Sequence, residues 1–206
     1  MKNIDEINKE IRENENPLTR EEAKQHFVEM TNLLNLKHTF DFDEAYDIGL
    51  EFRRRKDFRE KVSKLETQLS SLDNTTGEEV HKANPVKHTL AGGCYIREIY
   101  NPPNELIITK IHKKEHPFFL MKGEMSILTE EGMQHIVAPY QGITKPGTKR
   151  VIYTHKECTF ITVHATENTT IEDIEEEVVC TKYEDLPPEC DVLEALKEIN
   201  LKKRII

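Results

Sequence analysis

A chain of 206 residues, 36% hydrophobic and 33% charged, has room for one domain with an extension or for two small domains with modest cores. Its net charge of −9 argues against non-specific nucleic-acid binding, which needs clustered Lys and Arg on phosphates. No apolar run reaches the ~18 residues of a membrane span, so no membrane partner is expected.

The opening MKNIDEINKEIRENE lacks the apolar core of a signal peptide. The four cysteines, Cys94, Cys158, Cys180 and Cys190, form no C-x-x-C pair. Both features predict a cytoplasmic protein with reduced, individually placed thiols.

The first part of the chain, residues 1–85, reads as helical region and linker. Thr19-Arg20-Glu21-Glu22 offers an N-cap followed by acidic first-turn residues. Ala23, Phe27, Met30, Leu33 and Leu34 then recur at helical steps. A second helix is predicted to start after Asp41 or Asp43 and to carry Ala45, Ile48, Phe52, Phe58, Val62, Leu65 and Leu69. Its basic run Arg53-Arg54-Arg55-Lys56 reads as a solvated face, with an anion- or partner-binding surface as the alternative. Residues 70–85 are polar, contain Gly and Pro, and read as a linker or surface loop.

Residues 86–184 change pattern. Short apolar runs at Tyr95–Tyr100, Leu106–His112, Phe118–Lys122, Met125–Thr129, Met133–Ala138, Val151–Tyr153, Thr159–Ala165 and Val178–Tyr183 alternate with Gly- and Pro-rich turns. Such spacing predicts an antiparallel all-β barrel or sandwich. No helix-length stretch separates the strands, which argues against a parallel α/β sheet. The acidic stretch Glu167–Glu177 follows. Residues 185–206 then read as a short amphipathic helix (Val192, Leu193, Leu196, Ile199) with the basic tail Lys202-Lys203-Arg204. The fold class is therefore α+β: a helical N-terminal region, an antiparallel β-barrel and a short C-terminal helix.

The segment from Ile111 to Gly123 carries the most chemistry. On one continuous strand, His112 and His116 would stand about 13 Å apart. A tight hairpin at Lys113-Lys114-Glu115 would instead place them on adjacent strands, with their rings converging. In the last long run, Phe160, Thr162 and His164 share one face by the period of two. The segment resembles the first motif of the cupin superfamily, H-x-H, three or four residues, E, six residues, G. Counted back from Gly123, the glutamate position falls on His116, the second histidine on His112 and the first on Lys110. Lys145-Pro146-Gly147-Thr148-Lys149-Arg150 resembles the second motif, P-x-G-x-x-H, with Arg150 at its histidine.

The resemblance implies a jelly-roll barrel with a pocket inside. It leaves no ordinary three-histidine, one-glutamate metal site, because arginine keeps its proton. His112, His116 and His164 would together offer three nitrogens for zinc, iron, nickel or copper. Arg150 would pair with an anionic ligand through its planar fork. Lys145 is a further candidate for ligand binding, with a solvated turn at Lys145, Lys149 and Arg150 as the alternative, and Tyr140 would add a hydroxyl at the pocket mouth unless it only packs. The H-x-x-x-H-P-F-x-x-x-K-G pattern and the segment from Ala138 to Val151 are also similar to small cupin-like proteins of tailed bacteriophages. That likeness covers about 90 residues and implies a protein of the host cytoplasm.

Three functions follow as expectations. One is a module binding a small, anionic metabolite or signal. The second is a metal-dependent oxygenase or isomerase, with Tyr140 or Glu124 moving protons. The third is an interaction protein acting through its helical half. A homodimer is the expected assembly.

Overall fold

The structure, a computed structural model, describes residues 19–33, 42–71 and 83–196. Leu34, Ile199, the tail 202–204 and most of the expected linker lie outside the described residues. The described residues fall into two compact units, one drawn from residues 1–53 and the other from 54–198.

Helix α1 spans Arg20–Leu33. Thr19 caps it through a reciprocal box: the Glu22 backbone N–H donates to Thr19 Oγ1 at 3.3 Å, and the Thr19 N–H donates to Glu22 Oε2 at 2.8 Å. Helix α2 spans Phe42–Ser70. Its basic run divides: Arg53, Arg54 and Lys56 are exposed as expected, whereas Arg55 is buried. Arg55 and Arg59 turn to Glu130 at 2.9 and 2.6 Å, and Arg59 also holds Asp191 at 2.8 Å. A solvated face thus describes only part of the run, because matched carboxylates await one side of it.

Eleven strands follow among the described residues: β1 (Val86–Ala91), β2 (Cys94–Asn101), β3 (Leu106–Ile108), β4 (Ile111–His112), β5 (His116–Lys122), β6 (Glu124–Thr129), β7 (Gly132–Val137), β8 (Tyr140–Thr144), β9 (Val151–Thr154), β10 (Cys158–Ala165) and β11 (Val179–Cys180). Helix α3 (Ile171–Val178) lies between the last two. The strands pair antiparallel in the orders β1-β2-β10-β5-β8 and β3-β9-β6-β7, with a separate β4-β11 pair. Without β1, the two larger sheets have the strand order of an eight-stranded jelly roll, two facing sheets built from Greek keys. Hydrogen bonding does not close the strands into one continuous barrel, so the expected barrel is an open sandwich of sheets. β1 joins β2 through Gly92-Gly93, both at positive φ (56° and 75°), which a two-residue turn of this kind requires.

Alternation places the core. β5 buries His116, Phe118 and Leu120, while β10 buries Cys158, Phe160, Thr162 and His164. Phe118, Leu120, Met125, Ile127, Ile136, Ile152, Cys158 and Phe160 form the main cluster between the sheets. A second cluster packs Ile174 and Val178 of α3 on Tyr95. The acidic stretch is therefore helical, capped by Thr170, with Ile171, Ile174 and Val178 supplying an apolar stripe among carboxylates. Residues 192–196 are helical, with Leu193 and Leu196 buried as expected. Among the described residues no helix is long and apolar enough to cross a membrane.

Candidate functional site

His112 and His116 do meet, but no hairpin joins them. β4 pairs with β11, whereas β5 pairs with β8 and β10. Residues 113–115 are therefore a corner carrying the chain from one sheet to another. The ring centroids of His112 and His116 are 4.6 Å apart, those of His116 and His164 are 4.0 Å apart, and those of His112 and His164 are 6.4 Å apart. Register explains the third member. Thr162 stands opposite Phe118 across β10 and β5, so the next inward positions, His164 and His116, share a row. Tyr95 extends that row on β2 and Thr144 on β8.

One ring nitrogen of each histidine, His112 Nδ1, His116 Nε2 and His164 Nδ1, is buried without a hydrogen-bond partner among the described residues. Burial keeps all three imidazoles neutral: His112 is held well below its ordinary pKa, His116 is pushed down to about 4 and His164 to about 3. Nearby cations add to this, Arg150 on His112 and His116, and Arg97 on His112 and His164.

Arg150 is 3% exposed. Its guanidinium donates to His112 Nε2 at 3.3 Å and to Thr144 Oγ1, and it lies 4.9 Å over the Phe118 ring. No described carboxylate forms an ion pair with it, and burial pushes its pKa down to about 10. The adjacent Lys149, 1% exposed, differs in having Glu66 at 2.5 Å. A cavity of about 210 Å³ opens against Arg150; Thr144, Lys145, Phe118 and Arg59 also line it.

The remaining expected residues scatter. Lys145 is exposed and pairs with Glu131 at 2.9 Å on the cavity wall. Tyr140 lies on the same inward row set, opposite Leu120, two rows from His116, and does not line the cavity. Glu124 stands beside buried Met125 on β6 and holds Lys156 at 2.7 Å and His135 at 3.1 Å, away from the three histidines. Sequence reasoning passed over Arg97, which faces inward opposite Thr162 and whose pKa burial pushes down against the opposing pull of Tyr95 and Glu175. Its signal was available: Tyr95, Arg97 and Ile99 alternate on one strand, with an arginine in the inward register. His88 was also passed over; its Nδ1 lies 2.6 Å from the Tyr95 hydroxyl.

The hydrogen bonds also test the metal expectation. The Lys114 carbonyl can only accept, so His116 Nδ1 donates to it at 3.1 Å and Nε2 carries the free lone pair. The guanidinium can only donate, so His112 Nε2 accepts and its unpartnered Nδ1 carries hydrogen. A metal needs lone pairs from all three rings, and a guanidinium beside it adds repulsion. Ligation by His112, His116 and His164 together does not fit this arrangement. Among the described residues no group of three or more His, Cys, Asp or Glu is placed to hold a metal ion.

No protein-family model matches the sequence, and no curated protein matches it. Among solved structures, the chain is similar to ectoine synthase from P. lautus, at 13% identity over 57% of this chain and 91% of that one, with a TM-score of 0.40. It is similar to a double-stranded β-helix domain protein from Klebsiella pneumoniae, at 17% identity over 42% and 80%, with a TM-score of 0.37. It is also similar to acetylacetone dioxygenase from Acinetobacter johnsonii, at 19% identity over 39% and 58%, with a TM-score of 0.35. The jelly-roll assignment rests on the strand order itself.

Proposed function

We propose that this chain is a binding protein that holds a small anionic molecule on Arg150 inside the jelly roll. One observation carries the reading: Arg150 is buried with only neutral partners, although Arg55, Arg59 and Lys149, the other fully buried cations among the described residues, each face a carboxylate, and the half-buried Arg97 has the charge of Glu175 acting on it. A buried cation without a counter-ion is costly, and a carboxylate or phosphate from outside would remove that cost. In a phage-infected host such a protein would sequester or sense a host metabolite.

Arg150→Met separates this from a structural role. The depressed pKa corresponds to about 3 kcal/mol against the charged form, offset by two hydrogen bonds worth about 1 kcal/mol each. The ligand-free variant is expected to be at least as stable as the parent in urea, while any small anion found by native mass spectrometry is lost. A ligand-free variant several kcal/mol less stable than the parent would make Arg150 a structural residue. Stoichiometric metal in untagged protein would instead favour the metal-dependent enzyme.

A further inference from the structure

The cavity constrains the ligand beyond its charge. We infer that the ligand is a small monocarboxylate with an apolar body, a conclusion that rests on Arg150 being its anchor.

The charge follows from counting partners on the wall. Arg55 and Arg59 are matched by Glu130, and Arg59 further by Asp191. Lys145 is matched by Glu131. Arg150 alone among the lining cations has no carboxylate, so the wall carries one unmatched positive charge. A single negative charge neutralises it, whereas a dicarboxylate or phosphate dianion would bring in a second that is itself unmatched. The donor geometry agrees. A guanidinium has five N–H donors, and Arg150 directs only one to His112 and one to Thr144. Enough remain for a bidentate carboxylate.

The apolar body follows from the apolar part of the wall, which alternates with Thr129, Gln134 and Thr148. Phe118, Ile127, Ile143 and Val192 line the same cavity, which lies beside β8 and β7, the outermost strands of their sheets. A bare anion would leave these side chains in contact with trapped water. The volume of about 210 Å³ is below the roughly 300–1,000 Å³ of drug-sized sites, so the ligand is small. Phe118 serves both parts: Arg150 lies 4.9 Å over its ring, and its side chain lines the cavity.

The full chain is titrated calorimetrically with acetate, butyrate, hexanoate, succinate and inorganic phosphate. Affinity is expected to rise about fourfold for each methylene buried, until the cavity is filled. Hexanoate then exceeds acetate by more than tenfold and also exceeds succinate and phosphate. Ile143→Ser, at an exposed position that tolerates change, lowers hexanoate affinity severalfold. Equal affinity for acetate and hexanoate, or tighter binding of succinate or phosphate, overturns the inference. If that happens while Arg150→Met still abolishes binding, the anion anchor survives and only the ligand class is wrong. Hexanoate binding undiminished in Arg150→Met sinks the anchor itself.

Discussion

Acidification should unfold the jelly roll through its histidines before its carboxylates titrate. His116 and His164 have folded pKa values of about 4 and about 3, against 6.5 unfolded. A folded pKa below the unfolded one means that the unfolded chain binds the proton more tightly. Stability is therefore full above pH 6.5 and falls as pH drops towards the folded values. Between pH 6.5 and 4.5 each histidine costs about two pH units at 1.36 kcal/mol, or about 2.7 kcal/mol. The two together approach 5 kcal/mol, comparable to the lower end of domain stabilities of roughly 5–15 kcal/mol. The paired carboxylates, such as Glu124 and Asp191, are held below their ordinary values and add their own losses mainly below this window. The assay is urea unfolding at half-unit steps from pH 7.5 to 4.5, followed by circular dichroism. The double variant His116→Gln/His164→Asn should flatten the slope, even if it starts less stable. A midpoint unchanged across the window, or an equal slope in the double variant, would refute the reasoning.

Arg59→Met leaves Glu130 with Arg55 as its one cation and Asp191 with no cation at a buried site, holding only backbone donors such as the Leu193 N–H at 2.8 Å, so a loss of about 3–5 kcal/mol is expected in thermal or urea unfolding. A loss below 1 kcal/mol would show that water reaches the cluster. Gly142→Ala would place a Cβ 2.5 Å from the Phe118 ring, forcing that ring to shift and disturbing its 4.9 Å contact with Arg150. About 1–3 kcal/mol of stability should go, and binding on Arg150 should weaken with it.

The sequence disclosed those parts of the fold that rest on alternation. β5, β6, β9 and β10 bury side chains at alternate positions, and each was readable; β2 and β7 were readable as short apolar runs between turns, although Arg97 and Gln134 interrupt their alternation. β1 and β8 were not, because most of their residues are exposed and Gly142 interrupts the pattern. The expected strand Leu106–His112 splits into β3 and β4, since its two ends pair with different sheets. α3 was hidden because carboxylates fill the positions between Ile171, Ile174 and Val178. His164 could be placed inward from its own strand alone. The meeting of His112 and His116 depends on which strands pair, which a period of two does not encode.

Two of the three departures from the motifs that this sequence resembles make one consistent exchange; the third, Lys110, pairs with Glu175 at 2.8 Å outside the histidine cluster. Where the first motif has glutamate, this chain has His116; where the second has histidine, this chain has Arg150. A carboxylate at 116 would sit near the guanidinium and neutralise it from within, leaving no charge for a ligand. An imidazole does otherwise. His112 supplies a neutral acceptor that fixes the guanidinium at 3.3 Å without cancelling its charge, and His116 and His164 pack beside it uncharged. The same neutrality that makes the cluster sensitive to acid thus keeps Arg150 both held in place and electrostatically unsatisfied. Of these two exchanges, neither alone would build the proposed anion site: arginine facing glutamate is a closed ion pair, and histidine facing histidine has no charge to offer.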